Sequence, residues 1–278
     1  MDRIVHRGGV GLSLSDDGEG IPVVLLHGLT ATRRYVVMGS RALERSGHRV
    51  VAYDARGHGR STPAPSAEAY EYADLVADLA SVLDELEVER AVLAGASMGA
   101  HTLLRLALEA PERVAALVAV TPGFDPAAVD DPARLARWDA LADGLRRGGV
   151  EGFVAAYGEP RVPERWRDTV LQVLRQRLAA HEHPEAVADA LSVVPRSRPF
   201  AALDELAAID APAVVVGSRD ETDPGHSFAL AEAYAGAIPD ARLLSEEKGE
   251  SPLAWQGGRL STVIADAASH AAREGLVR

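Results

Sequence analysis

The sequence predicts an α/β fold in which a mostly parallel central sheet is flanked by helices and covered by a helical lid. Three observations support this prediction. Short apolar runs such as residues 22–26 are typical of strands buried on both faces of a parallel sheet. Such runs alternate with segments of helical periodicity up to residue 120, and again from residue 213. Between these two regions, residues 122–200 have helical patterning interrupted by prolines.

The sequence of the N-terminal part predicts a β-hairpin followed by the first parallel strands. Residues 3–7 and 10–15 have the composition of two short strands separated by Gly8 and Gly9, which is a hairpin signal. We then expect a strand, a helix and a second strand at residues 22–26, 35–46 and 49–53.

One stretch joins an apolar run to a helix through a serine. Residues 91–94 are apolar, Gly95-Ala96-Ser97-Met98-Gly99 follows, and the next segment has apolar residues at helical spacing. This layout predicts a strand, a sharp turn and a helix, with Ser97 in a strained backbone conformation and its hydroxyl beyond the sheet edge. Gly95 and Gly99 fit because strand and helix backbones cross there without room for a β-carbon.

The remaining predicted elements belong to the core segments that precede and follow the lid in the sequence. We expect helices at residues 67–86, 228–237 and 258–273, and strands at residues 114–120, 213–216 and 241–244. The predicted domain boundaries are a first core segment at 1–121, a helical lid at 122–200 and a second core segment at 201–278. We interpret the many arginines of the lid as part of a solvated helix face. The alternative is that one of them binds a carboxylate of the substrate.

Composition excludes several classes of function. The chain has 278 residues, no cysteine and a formal net charge of −12. Disulfides, thiol catalysis and cysteine-ligated metals are therefore excluded, and nucleic acid or an anionic membrane is disfavoured as the main partner. The N-terminal residues lack the apolar segment of a signal peptide, so we expect a cytoplasmic protein. We also expect a small-molecule substrate, no cofactor, no metal, and a monomer or homodimer.

Four signatures occur in a defined order along the chain. They are His27-Gly28, Asp54-Ala55-Arg56-Gly57-His58-Gly59-Arg60-Ser61, Gly95-Ala96-Ser97-Met98-Gly99 and Asp220, each placed after a predicted strand. In this order the sequence resembles the α/β-hydrolase superfamily over nearly its full length. The resemblance implies that Ser97 is the nucleophile, that the backbone N–H groups of Leu29 and Met98 form the oxyanion hole, and that Asp220 is the acid.

The resemblance fails at the general base. The family has a histidine in the loop after the last strand, where this chain has Gly249-Glu250-Ser251-Pro252. In one alternative His226 takes the serine proton, with Asp220 or Asp223 orienting it. In a second, Glu250 is itself the base, which requires a pKa raised by burial or by a neighbouring carboxylate. In a third, hydrolysis has been lost and the site binds a ligand or performs other chemistry.

The identity of residue 97 limits the classes of reaction that the site can catalyse. Because residue 97 is serine and not aspartate, acyl transfer from an ester, lactone or thioester to water is the leading class. Carbon–carbon bond hydrolases and cofactor-free haloperoxidases share this fold and are alternative reaction classes. A binding module, a lyase or a cyclase built on the same fold is a further alternative. The candidate substrate-binding residues are His27, Gly28 and Trp138. The glycines match neither the dinucleotide fingerprint nor a P-loop.

Overall fold

The computed structural model describes residues 2–219, 224–247, 255 and 257–277. Within them lies an eight-stranded sheet of order β1-β2-β4-β3-β5-β6-β7-β8. Its strands are β1 (Asp2–Arg7), β2 (Val10–Asp17), β3 (Ile21–Leu26), β4 (His48–Tyr53), β5 (Ala91–Ala96), β6 (Val114–Val120), β7 (Ala213–Gly217) and β8 (Ala241–Ser245). The helices are α1 (Ala42–Arg45), α2 (Tyr72–Glu85), α3 (Met98–Glu109), α4 (Pro132–Tyr157), α5 (Glu164–Leu178), α6 (Pro184–Val193), α7 (Phe228–Ala237) and α8 (Gly258–Arg273). The predicted fold class is confirmed.

The sheet changes from antiparallel to parallel after its second strand. β1 and β2 form an antiparallel hairpin with Arg7 opposite Val10, and the linking residues Gly8 and Gly9 have φ angles of 55° and 85°. Two consecutive positive φ angles define a turn whose twist matches that of the strands, which explains the glycine pair. β2 runs antiparallel to β4, and the pairs from β4 through β3, β5, β6 and β7 to β8 are parallel.

Both faces of the sheet are covered by helices. In β3, Val24 and Leu26 face a core formed with α2, α3 and α7, whereas Val23 and Leu25 face a second core formed with α1 and α8. Successive side chains of a strand point to opposite faces, so a run that is apolar at every position requires cover on both sides. This arrangement brings the carboxyl ends of the parallel strands to one edge, where loops converge.

Two predicted helices differ from those observed. The helix expected at residues 35–46 is wrong: the segment contains the short 3₁₀ helix Arg33–Tyr35 and the four-residue α1. Met38 and Gly39 interrupt it with φ angles of 51° and 71°. The helix expected at residues 67–86 is shorter and begins at Tyr72, whose backbone N–H donates to the hydroxyl of Ser197 at 2.9 Å. Because Ser197 is so distant in sequence, this contact gives no local sequence signal for the start of the helix.

A helical insertion, defined here as residues 132–193, separates β6 from β7 and comprises α4, α5 and α6. α4 is broken at Gly149, where φ is 57° and ψ is −145°. The two halves of α4 pack closely against each other on either side of the break. A β-carbon on Gly152 would collide with the carbonyl oxygen of Gly144. The insertion shares a hydrophobic cluster with Leu29 and Met98 of the core. The domain boundaries predicted from the sequence stay predictions.

None of the helices in the described part of the chain combines the length and apolar character needed to cross a bilayer.

A buried ion pair connects the loop after β4 to α2. The guanidinium of Arg56 donates from Nε and Nη2 to the two carboxylate oxygens of Asp78, each at 2.7 Å. The Arg56 and Asp78 side chains are 3% and 1% exposed. Such bidentate pairs impose a defined geometry, so this contact determines how the glycine-rich loop leaves the sheet.

We expect Asp78→Ala to lower the free energy of unfolding by about 3 kcal/mol, since it leaves the buried guanidinium with the partly exposed Asp74 and the neutral Ala69 carbonyl as its remaining described partners. The control is Asp84→Ala on the same helix, which removes an exposed pair with Arg113 and should cost at most about 1 kcal/mol. Urea unfolding of both variants measures the difference. Equal losses would contradict a structural role for the Arg56–Asp78 pair.

Candidate active site

Ser97 occupies a strained turn between β5 and α3. Its φ and ψ angles are 49° and −110°, a conformation that a residue with a side chain rarely adopts. A β-carbon on Gly95 would lie 2.6 Å from the carbonyl carbon of Gly99, and one on Gly99 would collide with the Leu26 carbonyl oxygen. The predicted turn and the reason for its two glycines are therefore confirmed by the geometry.

The imidazole of His226 lies beside the Ser97 hydroxyl. The distance from His226 Nε2 to Ser97 Oγ is 2.8 Å. His226 ends the 3₁₀ helix Pro224–His226, and the next residue, Ser227, caps α7 by accepting a hydrogen bond from the Leu230 N–H at 3.3 Å. This nucleophile–base distance is within hydrogen-bonding reach, so the two groups can exchange a proton.

Gly123 makes room for this imidazole. A β-carbon at position 123 would lie 2.7 Å from His226 Cδ2 and 2.6 Å from the Gly225 carbonyl oxygen. The segment after β6 therefore forms the back wall against which the ring rests. The sequence analysis did not single out Gly123, because a contact between loops that follow different strands has no sequence signal.

Two of the predicted catalytic residues, Asp220 and Glu250, lie outside the described residues. Their roles, and that of Asp223 as an alternative partner for His226, stay predictions. A further carboxylate, Asp125 in the segment after β6, lies in the wall of the same cavity as Ser97 and accepts a hydrogen bond from the Ala127 N–H at 2.9 Å.

The residues predicted to form an oxyanion hole lie close to the serine. Leu29 and Met98 line the same cavity as Ser97. The Leu29 carbonyl oxygen is held by His58, whose Nε2 lies 2.8 Å away, while His58 Nδ1 lies 2.8 Å from the Arg56 carbonyl oxygen. Burial lowers the pKa of His58, and its two carbonyl partners oppose that shift. His58 thus lies between the Leu29 turn and the glycine-rich loop, and its neutral ring donates to one of the two carbonyl oxygens.

The three predicted substrate-binding residues have different positions. His27 is only 2% exposed, accepts from the Ala55 N–H at 2.9 Å through Nε2 and donates from Nδ1 to the Gly28 carbonyl at 2.8 Å. Because both ring nitrogens are used within the fold, we correct the substrate-binding role to a structural one. Gly28 lies against Ser97, since a β-carbon there would be 3.6 Å from that of the serine. Trp138 of α4 lies in the cavity wall.

The cavity has a volume of about 1040 Å³ and lies between the carboxyl ends of the strands and the helical insertion. Its walls combine aromatic and aliphatic side chains with polar and charged ones, and a concave cavity of this size can hold a small molecule. No group of three or more histidine or acidic side chains suited to a metal ion occurs among the described residues.

His101, in the first turn of α3, is hydrogen-bonded to the segment that follows β6. Its Nε2 accepts from the backbone N–H groups of Gly123 and Phe124, both at 2.9 Å, and its Nδ1 lies 2.8 Å from the Tyr72 hydroxyl. Burial lowers the pKa of His101 to about 3, so the ring is neutral at pH 7. His101 therefore holds the segment that supports His226.

Glu246, the residue that follows β8, was missed by the sequence analysis. It accepts hydrogen bonds from Ser218 Oγ at 2.8 Å, the Arg219 N–H at 2.6 Å and Trp255 Nε1 at 2.7 Å. Burial opposes its ionisation, but these hydrogen bonds outweigh burial and hold the pKa of Glu246 below its usual value. The carboxylate thereby joins the loop after β7 to Trp255.

Comparison with known proteins reveals a family match. Residues 21–198 match the family model described as alpha/beta hydrolase fold. A putative non-heme haloperoxidase of Mycobacterium phage D29 is 40% identical over 118 residues, which cover 42% of this chain and 41% of the phage protein. The putative carbamate hydrolase RutD of Variovorax paradoxus is 34% identical over 209 residues, which cover 74% of this chain and 75% of that protein. The chain thus spans less than half the length of the first relative and three quarters of the second.

A similar solved structure extends the likeness to almost the whole chain. The thermophilic esterase from Thermogutta terrifontis superposes with a TM-score of 0.79 at 25% sequence identity, covering 98% of this chain and 99% of that one.

We expect Glu246→Gln to lower the free energy of unfolding by about 1–2 kcal/mol at pH 7, because the amide replaces a charged acceptor of three hydrogen bonds. Since the pKa of Glu246 is depressed in the folded protein, the stabilisation is present above the usual value of 4.5 and is lost as pH falls through the folded pKa. The difference between the two proteins should therefore shrink in acid.

Unfolding in urea from pH 7 down to pH 3 measures this difference. Glu232→Gln, which removes an exposed carboxylate from α7, is the control for the change in charge. A Glu246→Gln difference that stays constant with pH would contradict the assigned ionisation.

Proposed function

The chain belongs to the α/β-hydrolase fold family, and we propose that it is a serine hydrolase that cleaves an ester, lactone or related acyl substrate through an acyl-enzyme. The observation that carries this proposal is the 2.8 Å distance between His226 Nε2 and Ser97 Oγ at a strained strand–helix turn. A serine hydroxyl becomes an effective nucleophile when an adjacent base takes its proton.

Each proton has a defined place in the proposed mechanism. His226 Nε2 takes the proton of Ser97 Oγ as the oxygen attacks the substrate carbonyl carbon. The resulting oxyanion accepts from the N–H groups of Leu29 and Met98, and one such donor contributes about 3 kcal/mol. The imidazolium returns the proton to the leaving oxygen as its bond to the carbonyl carbon breaks. Water then attacks the acyl-serine by the same route, releasing the acid and restoring Ser97.

This mechanism assigns the base to the loop after β7. The alternatives predicted from the sequence were His226, Glu250 and a site without hydrolysis, and the short contact to Ser97 favours His226. Asp220 is the proposed partner that orients the imidazole, following the family resemblance. A buried or hydrogen-bonded carboxylate in that role selects the tautomer and stabilises the imidazolium.

The likeness to known proteins supports acyl chemistry. The chain is similar to a thermophilic esterase and to a putative carbamate hydrolase. An ester and a carbamate both present a carbonyl carbon that an activated serine can attack. The cavity, with its aromatic and aliphatic walls, favours a small organic substrate.

Labelling with a fluorophosphonate probe tests the nucleophile and the base together. We expect labelling of the wild-type protein, none in Ser97→Ala, a rate at least 100-fold lower in His226→Ala, and unchanged labelling in Glu250→Ala, because an unassisted serine hydroxyl reacts slowly. Mass spectrometry of the labelled peptide identifies the residue, and hydrolysis of 4-nitrophenyl butyrate is followed in parallel.

The other outcomes decide between the alternatives. Loss of labelling in Glu250→Ala but not in His226→Ala would assign the base to Glu250. A wild-type protein that is neither labelled nor active on any acyl ester would contradict the proposal, and would favour a binding module, lyase or cyclase.

The back wall of the site gives a second test. We expect Gly123→Ala to lower kcat for 4-nitrophenyl butyrate at least tenfold, because the added methyl group displaces the His226 ring from Ser97. The control is Gly236→Ala on α7, where a β-carbon meets no heavy atom within 4 Å. Circular dichroism verifies that both variants are folded. Unchanged kcat in Gly123→Ala would contradict the assigned position of the imidazole.

A further inference from the structure

The charge of the cavity is opposite to that of the whole protein. The chain has a formal net charge of −12, yet the described cavity wall contains four arginines, Arg134, Arg137, Arg161 and Arg177, and two carboxylates, Asp125 and Glu159. Glu159 is itself paired with Arg167 at 2.5 Å. A cleft lined mainly by one sign of charge concentrates ligands of the opposite sign.

Arg134 differs from four other arginines of the helical insertion. It is partly buried near the start of α4, and its Nη1 donates to the carbonyl oxygens of Pro195 at 2.9 Å and Val129 at 3.3 Å. These two carbonyls orient the guanidinium but supply no negative charge. Four other arginines of the insertion form ion pairs with carboxylates: Arg146 with Asp189, Arg147 with Asp143, Arg167 with Glu159 and Arg175 with Glu151.

Among the described residues no carboxylate forms an ion pair with Arg134. Burial lowers the pKa of Arg134, whereas the more distant carboxylates of Asp131 and Asp125 oppose that shift. Withdrawing a guanidinium from water without a paired anion costs free energy. A ligand carboxylate would supply the counter-charge and bind to the planar fork through parallel hydrogen bonds.

A second donor lines the same cavity as this guanidinium. Because His101 Nε2 accepts two backbone N–H groups, the single proton of the neutral ring is on Nδ1 and is donated to the Tyr72 oxygen. The hydrogen of the Tyr72 hydroxyl is therefore directed elsewhere, and Tyr72 lines the cavity. Burial raises the pKa of Tyr72 and the positive charge of Arg134 opposes this, so the hydroxyl is a neutral donor within the electrostatic range of the guanidinium.

We propose that Arg134 and the Tyr72 hydroxyl form a subsite for a carboxylate carried by the acyl group of the substrate. His101, which positions Tyr72, lies one helical turn beyond Ser97 on α3, so Tyr72 is anchored on the same side of the cavity as the nucleophile, and Arg134 belongs to the helical insertion that covers it. The substrate class is thus a monoester of a dicarboxylic acid, or a lactone with a pendant carboxylate. This inference rests on the proposed serine hydrolysis.

Matched pairs of esters test the subsite. The mono-4-nitrophenyl esters of glutaric and adipic acid are compared with the 4-nitrophenyl esters of 5-methylhexanoic and 6-methylheptanoic acid, in which an isopropyl group replaces the carboxylate. We expect the wild-type protein to prefer the acidic member by kcat/KM, through a lower KM. Arg134→Gln should reduce this preference at least tenfold, equivalent to about 1.4 kcal/mol.

Two further variants and a control sharpen the kinetic test. Arg134→Lys should retain part of the preference as a point charge, and Tyr72→Phe should reduce it while leaving Arg134 in place. Arg147→Gln removes the same charge from α4 outside the cavity and should leave the preference unchanged. An Arg134→Gln protein that keeps the wild-type preference, or a loss of equal size in Arg147→Gln, would overturn the subsite.

A binding measurement separates this inference from the proposed function. Isothermal titration of the Ser97→Ala protein with glutarate and with glutaramide requires no catalysis. We expect glutarate to bind at least tenfold more tightly than glutaramide, and Arg134→Gln in the same background to abolish the difference. Equal binding of the two compounds, or no binding of glutarate, would overturn the subsite even if neutral esters are hydrolysed. Tighter glutarate binding without ester hydrolysis would support the subsite and contradict the hydrolase.

Discussion

The site depends on the close crossing of β3, β5 and the first turn of α3. Gly95 and Gly99 allow the backbones to approach until no β-carbon fits between them, and the Leu26 carbonyl of β3 closes the contact from the other side. This packing forces Ser97 to a φ angle of 49°. The strain is maintained because it is surrounded by buried strands and by the apolar face of α3. A turn with ordinary φ and ψ angles would direct the Ser97 hydroxyl elsewhere.

The second half of the site comes from loops that meet at the sheet edge. His226 follows β7 and lies against Ser97, whereas Gly123 follows β6 and donates its backbone N–H, as Phe124 does, to His101 of α3. Each side chain is therefore positioned by a different element, and the sheet order brings those elements together. The helical insertion adds the opposite wall. Its arginines give the cavity a charge that the acidic surface of the protein does not have.

Local sequence patterns predicted the secondary-structure elements correctly where the tertiary packing favours the same conformation as the local sequence. The serine turn, the Gly8-Gly9 hairpin and the parallel strands were all predicted, because each depends on short-range sterics or on burial of both sheet faces. The helix expected at residues 35–46 failed because Met38 adopts a positive φ angle that its residue type does not suggest. The position of Glu246 was missed because its three donors come from segments separated in sequence.

The sequence by itself determined the fold class, the nucleophile candidate and the absence of a histidine at position 250, since these follow from residue identity, apolar periodicity and motif order. Only the tertiary structure decided that His226 lies against Ser97, that His27 is used within the fold, and that Arg134 lies in the cavity wall without a paired carboxylate among the described residues. The physical reason is that hydrogen bonding and desolvation depend on distances of a few ångströms between elements, and sequence spacing does not specify those distances.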